Sequence, residues 1–272
     1  MESCDFNKGL GPDGFDGNVM KHSAPLKAKI VNEMTEMLNR GQLPAYFNEG
    51  RAIALSKAKG SDSPSINQVR LITIAPHLQK VAEKAIQDKV EQIGSHLLTV
   101  GRHQSGFKVG LDTSKNLTRI LKEKDRKVLF LDLEKAFDRV DRRRLTQILS
   151  HKAKTMQEKH IVSLLAKVLK PNKIHLGEHA ITDVRHGVPQ GGVLSPALFN
   201  VYLHEALTNH PVLEDLIKGN RLLAYADDLA IIINYEDEVQ SILEALDTLR
   251  PWGLKVNKQK SELLAETKED VR

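Results

Sequence analysis

The sequence holds one cysteine, Cys4, among 272 residues. A single thiol allows no internal disulfide and no thiolate cluster for a structural zinc site, so the protein is expected in a reducing compartment. No run approaches the roughly 18 to 20 consecutive apolar residues that span a bilayer. The opening MESCDFNKGLGPDGFDG has neither the apolar core of a signal peptide nor the acid-poor, Arg-rich look of a transit peptide, so the expected location is intracellular, with no membrane span. Repeats and low-complexity tracts are lacking too, which leaves an ordinary globular chain. Nor is one charge sign in large excess: 40 Lys plus Arg stand against 35 Asp plus Glu, a formal +5. That balance suits a polyanionic partner and an ordinary soluble enzyme equally. With 40% hydrophobic residues, the chain can bury a sizeable core in one large domain or two joined lobes.

What is present is an alternation of helical and strand-like patterns. Residues 25–39 set Leu26, Ile30, Met34, Met37 and Leu38 near one face of a helix ended by Gly41. RAIALSKAKG at 51–60 reads as a short strand running into a basic loop, and QVRLITIAP at 68–76 as a second strand or extended segment. LQKVAEKAIQDKVEQIGSHL is another amphipathic helix, and QSGFKVGLDTSKNLTRILKEK at 104–124 is a glycine-bearing loop, then a helix capped at Asp112 to Ser114. In KVLFLDLEKAFDRVD the period switches: Lys127 to Leu131 form a buried strand, and Asp132 stands at its end, where a side chain is presented rather than hidden. Residues 142–170 are mostly helical, KIHLGEHAITDV is a hairpin around Gly177, and HGVPQGGVLSPALFNVYLHEAL is a glycine-rich loop feeding a helix. LLAYADDLAIII at 222–233 makes two strands joined at Asp227 and Asp228, and a last helix from Glu238 to Leu249 leads into PWGLKVNKQKSELL. Helices mixed with a few short antiparallel strands predict an α+β fold.

Taken alone, an Asp-Asp pair between two strands reads as a solvated hairpin turn, since Asp is common in turns. Against that reading, the turn has no Gly or Asn, and Asp132 ends another buried strand. Carboxylates gathered without a partner repel, and their pKa values rise. A divalent cation removes the conflict. Magnesium prefers oxygen ligands, needs only one or two carboxylates, and takes substrate phosphates for the rest. Two such ions about 3.5 to 4 Å apart serve phosphoryl transfer, with Mn2+ an allowed substitute. Asp132, Asp227 and Asp228 are therefore the candidate catalytic and metal-binding set.

FLDLEKAFDRVD, HGVPQGGVLSPALFNVYL, AYADD and WGLKVNKQKSE follow in that order and resemble the palm motifs of reverse transcriptases, nearest those of non-LTR retrotransposons and group II intron proteins. GLGPDGFDG, VRLITIAPHLQKVAEKAI and QSGFKVGLDTSKNL resemble fingers segments of the same family. The resemblance covers nearly the whole chain. It implies an α+β right-hand polymerase, with fingers mainly over 1–126, palm mainly over 127–272, and part of 142–190 free to return to the fingers. The palm's antiparallel sheet is expected to be backed by helices. Only a dozen residues follow Lys260, too few for the helical thumb of relatives, so a thumb is expected to be absent.

The activity so implied is that of an RNA-directed DNA polymerase, a nucleotidyltransferase that adds deoxynucleoside triphosphates to a DNA primer on an RNA template by two-metal chemistry with Mg2+. In the resemblance Asp132 and Asp227 hold both ions, Asp228 completes the acidic cluster, and Leu133 reaches metal only through its carbonyl. Phe137 falls at the steric gate that excludes a 2′-hydroxyl. Gln190, Gly191 and Gly192 fall in the loop under the incoming nucleotide, where glycine allows close backbone approach. Arg70, Lys57 and Lys59 fall where fingers residues grip the triphosphate. Lys260 corresponds to a lysine that protonates pyrophosphate or steadies the triphosphate. Outside this context Phe137 is a core ring, the glycines form a plain turn, and the four cations are solvated charges.

The departures are Val69, where the family often carries an aromatic, and ITIA, where it often reads ISLL. His175 and His179 are four apart, but Gly177 between them points to a hairpin rather than a helical zinc pair. Ser195 has no triad context and is expected to cap the helix that follows. Two other functions stay open: a domesticated, catalytically idle fragment serving as a structural or RNA-binding subunit of a larger ribonucleoprotein assembly, and an RNA-dependent RNA polymerase, against which Phe137 argues.

Overall fold

The computed structural model describes residues 14, 22–56, 69–108, 113–121, 127–170, 172–176, 179–189 and 191–264. In chain order the elements are α1 (Ala24–Asn39), β1 (Glu49–Ser56), β2 (Val69–Ile74), α2 (His77–Ile93), α3 (Thr113–Leu121), β3 (Lys127–Leu131), α4 (Arg142–Lys152) and α5 (Met156–Val168). There follow β4 (Asn172–Leu176), β5 (His179–Val184), α6 (Ser195–Thr208), α7 (Pro211–Lys218), β6 (Leu222–Tyr225), β7 (Asp228–Ile233), α8 (Glu238–Asp247) and β8 (Glu262–Leu264). The chain groups into two compact units, 1–97 with 142–195 and 98–141 with 196–272.

In the first unit α1 starts at Ser23, whose hydroxyl accepts from the Leu26 N–H at 3.4 Å, with Pro25 in the first turn. α5 opens on a reciprocal cap, in which Thr155 accepts from the Glu158 N–H and Glu158 accepts from the Thr155 N–H. Met34 of α1 packs with Phe47 and with Val81 and Ala82 of α2. The sheet order is β2-β1-β4-β5. β1 and β2 are antiparallel from Arg51↔Ile74 to Ser56↔Val69, and β4 and β5 form the expected hairpin, whose turn at Gly177 lies outside the described residues. β1 and β4, however, run parallel over Glu49–Arg51. The sequence pattern leads one to expect antiparallel strands alone. A parallel pair needs a long crossover, so nothing in either strand's own neighbourhood announces it.

The second unit's sheet is ordered β6-β7-β3-β8 and is antiparallel throughout. Leu229 to Ile233 of β7 are buried without alternation, the pattern of a strand covered on both faces. Val128, Leu223 and Ala230 form a core patch with Ile120 and Phe130 against it. On α6, Leu198, Phe199, Val201, Tyr202, Leu203, Ala206 and Leu207 are all buried, so this helix is enclosed around most of its circumference. Its Tyr202 hydroxyl donates to the Trp252 carbonyl at 2.7 Å. Among the described residues no helix is long and apolar enough to cross a membrane.

Candidate active site

β3 and β7 pair antiparallel from Lys127↔Ile233 to Leu131↔Leu229. Carried one residue further, that register sets Asp132 opposite Asp228. Directly opposed residues hold their Cβ atoms about 4.5–5.5 Å apart, and like charges there are destabilising. The effect shows at Asp228: its carboxyl is raised above its ordinary value by the protein that displaces water around it, further raised by Asp132, and lowered by Lys260. Lys260 Nζ lies 3.6 Å from Asp132 Oδ2.

A second segment holds Asp132 in place. The Asn257 N–H donates to the Asp132 carbonyl at 2.8 Å and the Asn257 side-chain amide to Asp132 Oδ2 at 3.1 Å. Asn257 also accepts, from the Gln259 N–H on its side chain and from the Lys260 N–H on its carbonyl. The tight turn so formed brings Lys260 back to the carboxylate.

Asp227 lies in the two-residue turn between Tyr225 and Asp228, which pair with each other. Ala226, the first turn residue, has φ +57°. A positive φ there is what a tight hairpin needs to match strand twist, and glycine or asparagine usually supplies it. Asp228 is thus the first residue of β7 rather than part of the turn.

Among the described residues no three His, Cys, Asp or Glu side chains gather to hold a metal ion. The donors still suit magnesium. Asp132 and Asp228 offer hard oxygens from neighbouring strands, their repulsion is relieved by a divalent cation, and substrate oxygens can complete the octahedron. The two carboxylates form no closed cage among the described residues.

Phe137 lies half-buried in a short 3₁₀ helix, Ala136–Arg139, that follows β3. Its ring stacks on Phe199 at 4.1 Å between centroids and meets Phe107 edge-on at 6.1 Å. The second unit therefore holds Asp132, Asp227, Asp228, Phe137 and Lys260. Gly191 and Arg70 belong to the first. Gly191 has φ +112°, and a Cβ there would stand 2.7 Å from the Thr73 carbonyl of β2, so only glycine fits. Arg70 pairs with Leu55 through its backbone in β2, and its side chain lies outside the described part, as do Lys57, Lys59 and Gln190 entirely.

Residues 57–270 match the family described as reverse transcriptase (RNA-dependent DNA polymerase). The chain belongs to the reverse transcriptase family. It is similar to the RNA-directed DNA polymerase from mobile element jockey of Drosophila melanogaster, 25% identical over 91% of this chain and 28% of that protein. It is similar also to the probable RNA-directed DNA polymerase from transposon BS of the same fly, 28% identical over 77% of this chain and 25% of that one. A third relative is the retrovirus-related Pol polyprotein from type-1 retrotransposable element R2 of Nasonia vitripennis, 24% identical over 97% of this chain and 26% of the relative. The chain spans about a quarter of the length of these curated relatives. Membership implies a polymerase palm and fingers fold, with which a mixture of helices and mainly antiparallel sheets agrees.

Several residues of this reverse transcriptase domain escape a sequence reading. Asn257 is one, because its partner Asp132 is 125 residues away. Glu83 is another: buried on α2, it accepts from the Gln79 amide at 2.7 Å and from the Leu194 N–H at 3.1 Å. Burial pushes its carboxyl up, and those hydrogen bonds oppose the rise. It steadies the backbone just ahead of α6, of which Ser195 is the first residue. The signal was present, since a glutamate among Val81, Ala82 and Ile86 interrupts apolar neighbours on a buried helical face. Arg142 is the third. Its guanidinium donates to the carbonyls of Gly187, Leu169, Lys170 and His186, fastening the segment that leads to the glycine-rich loop.

Proposed function

We propose that this chain is the catalytic core of an RNA-directed DNA polymerase that extends a DNA primer on an RNA template. The observation that carries the reading is the opposition of Asp132 and Asp228 across β3 and β7, with Lys260 beside them. A fold gains nothing in stability from facing carboxylates, so their retention points to a cationic ligand. We assign the second unit to the palm and the first to the fingers.

In the reaction the primer 3′-hydroxyl attacks the α-phosphorus of a deoxynucleoside triphosphate. A new P–O bond forms, the bond to the β-phosphate oxygen breaks, the hydroxyl proton is lost and pyrophosphate leaves. Asp132 and Asp227, with Asp228 completing the acidic cluster, are the residues that would hold two Mg2+ ions, which would supply activation of the hydroxyl and neutralisation of the leaving charge when bound. Asn257 fixes the Asp132 carboxylate by its amide. Lys260 holds a proton at Nζ that can pass to the departing pyrophosphate, and in the meantime offsets the carboxylates. Phe137, braced by Phe199, presents a ring against the sugar and favours deoxynucleotides. Gly191 brings backbone close to a nucleotide, while Arg70, Lys57 and Lys59 are assigned to the triphosphate oxygens and Gln190 to the incoming nucleotide. Template is held through phosphates, so binding weakens with salt.

The test is primer extension on an RNA template with Mg2+, comparing deoxy- with ribonucleotides, beside Asp228→Asn. Extension confined to deoxynucleotides and lost in the variant supports the reading. Extension with ribonucleotides alone moves the assignment to an RNA polymerase. Silence at low salt and high protein concentration moves it to a catalytically idle subunit that binds RNA.

A further inference from the structure

We infer that Gln104 is a positioning residue that locks the turn carrying Asp227 and leading into Asp228 in its left-handed form. Ala226 is a non-glycine residue at φ +57°, immediately before the aspartates. That conformation places Cβ against the backbone and is disfavoured for any residue but glycine, so something must hold it. The Gln104 side chain does so on both sides of one residue. Its Oε1 accepts from the Ala226 N–H at 2.9 Å, and its Nε2 donates to the Ala226 carbonyl at 3.0 Å. The same Oε1 accepts from the Gly106 N–H at 2.9 Å. Two N–H groups on the oxygen and one carbonyl on the nitrogen leave a single amide orientation that satisfies all three.

The clamp is mounted on a fixed base. Gln104 bridges Ala224 as a parallel neighbour of β6: the Ala224 N–H donates to the His103 carbonyl at 2.7 Å and the Ser105 N–H to the Ala224 carbonyl at 2.9 Å. The Asn200 amide of α6 donates to the Gly106 carbonyl at 3.0 Å. A Cβ at Gly106 would lie 2.3 Å from the Ala226 nitrogen, so the arm and the turn touch backbone to backbone. Gln104 itself is 1% exposed, and a buried amide of this kind, paired at both its oxygen and its nitrogen, specifies one geometry. The consequence for chemistry is the placement of the Asp228 carboxylate opposite Asp132, because a turn that relaxed to φ below zero would splay or twist the β6–β7 corner. The hydrogen bonds of the Gln104 side chain run to the backbone of Ala226 and Gly106, so it acts on the carboxylates through the turn.

The rate arm of the test rests on the polymerase reading; the stability arm does not. In the first arm Gln104→Met, which keeps volume and loses all three hydrogen bonds, is compared in the Ala226 and the Ala226→Gly backgrounds. Because glycine adopts a positive φ freely, the drop in Tm caused by Gln104→Met should shrink to less than about half when Ala226 is glycine. An equal drop in both backgrounds makes Gln104 a filler of the core and overturns the inference. In the second arm Gln104→Met should lower the single-turnover rate of deoxynucleotide addition by about tenfold or more while the half-saturating nucleotide concentration changes by less than about twofold. A rate within about twofold of wild type overturns it. If the wild-type chain does not extend primers, the polymerase reading fails, and the rate arm is replaced by Mn2+ binding measured by electron paramagnetic resonance. Weaker Mn2+ binding in Gln104→Met then supports the inference and equal binding overturns it. Should Gln104→Met not fold, Gln104→Asn, whose amide falls short of Ala226 by one methylene, takes its place in every arm.

Discussion

In the first unit the buried charges Arg142 and Glu83 meet backbone carbonyls, backbone N–H groups and a neutral amide; in the second, Asp132 and Asp228 meet each other across two strands. Arg142 donates into four carbonyls and its guanidinium is pushed down to about 10 by burial, and burial likewise raises Glu83, yet each has its hydrogen bonds made. Asp132 is relieved only on one side, by Asn257 and Lys260, and Asp228 stays raised. A buried charge that is fully hydrogen-bonded tells of structure, and a like-charge pair left opposed tells of a ligand. The contrast separates what holds this domain together from what it is for.

The sharpest way to break that contrast is Asp228→Asn. The substitution keeps the side chain's shape and removes the repulsion, so primer extension should fall by about a thousandfold or more, while stability holds or rises by about 0.5 kcal/mol. Paired extension assays and thermal melts check it; activity and stability falling together would erase the distinction. Arg142→Met probes the other side. With its carbonyl partners left unpaired, the urea midpoint should fall by an equivalent of about 3 kcal/mol.

Third in size is a pH effect inside the second unit. His103 is buried with its ring 5.0 Å from that of His204, and burial, then His204 and Lys108, push it down to about 4 from 6.5. The unfolded chain therefore binds the extra proton first. Stability is fully present above pH 6.5 and lost as pH falls toward 4, by about 2 kcal/mol at pH 5. Urea titrations at pH 7.5 and 5 should show the loss, and His103→Leu should flatten it. The smallest expected effect belongs to Phe137→Val, which should reduce the preference for deoxy- over ribonucleotides by about tenfold, read as a ratio of kcat/KM values.

Much of this was legible in the sequence where the information is local. The strand Lys127–Leu131 is an apolar run ending in an acid, and it stands where that pattern puts it. The helix over residues 25–39 follows from periodicity, and the strands on either side of Asp227 from two short apolar runs. α7, at eight residues, carries too few turns for a period to be read, and Pro211 at its start and Gly219 after its end mark it instead. β8 has three residues and is defined by its partner β3 rather than by its own pattern. What the sequence could not carry are these contacts between distant segments: Gln104 on Ala226, Asn257 on Asp132, Glu83 on Leu194, and β1 beside β4. Each pairs a polar group with backbone or a carboxylate more than a hundred positions away, and no spacing rule records such a partner.

The most direct measurement is the Tm of the wild-type chain and of Asp228→Asn as Mg2+ is raised, since a ligand that binds only the folded state stabilises it by an amount that grows with the logarithm of its concentration above Kd. The wild type should start lower and climb with Mg2+, while the variant should start level or higher and stay flat. A wild-type Tm that does not respond to Mg2+, or a variant that climbs equally, would mean that the opposed carboxylates are not a cation seat.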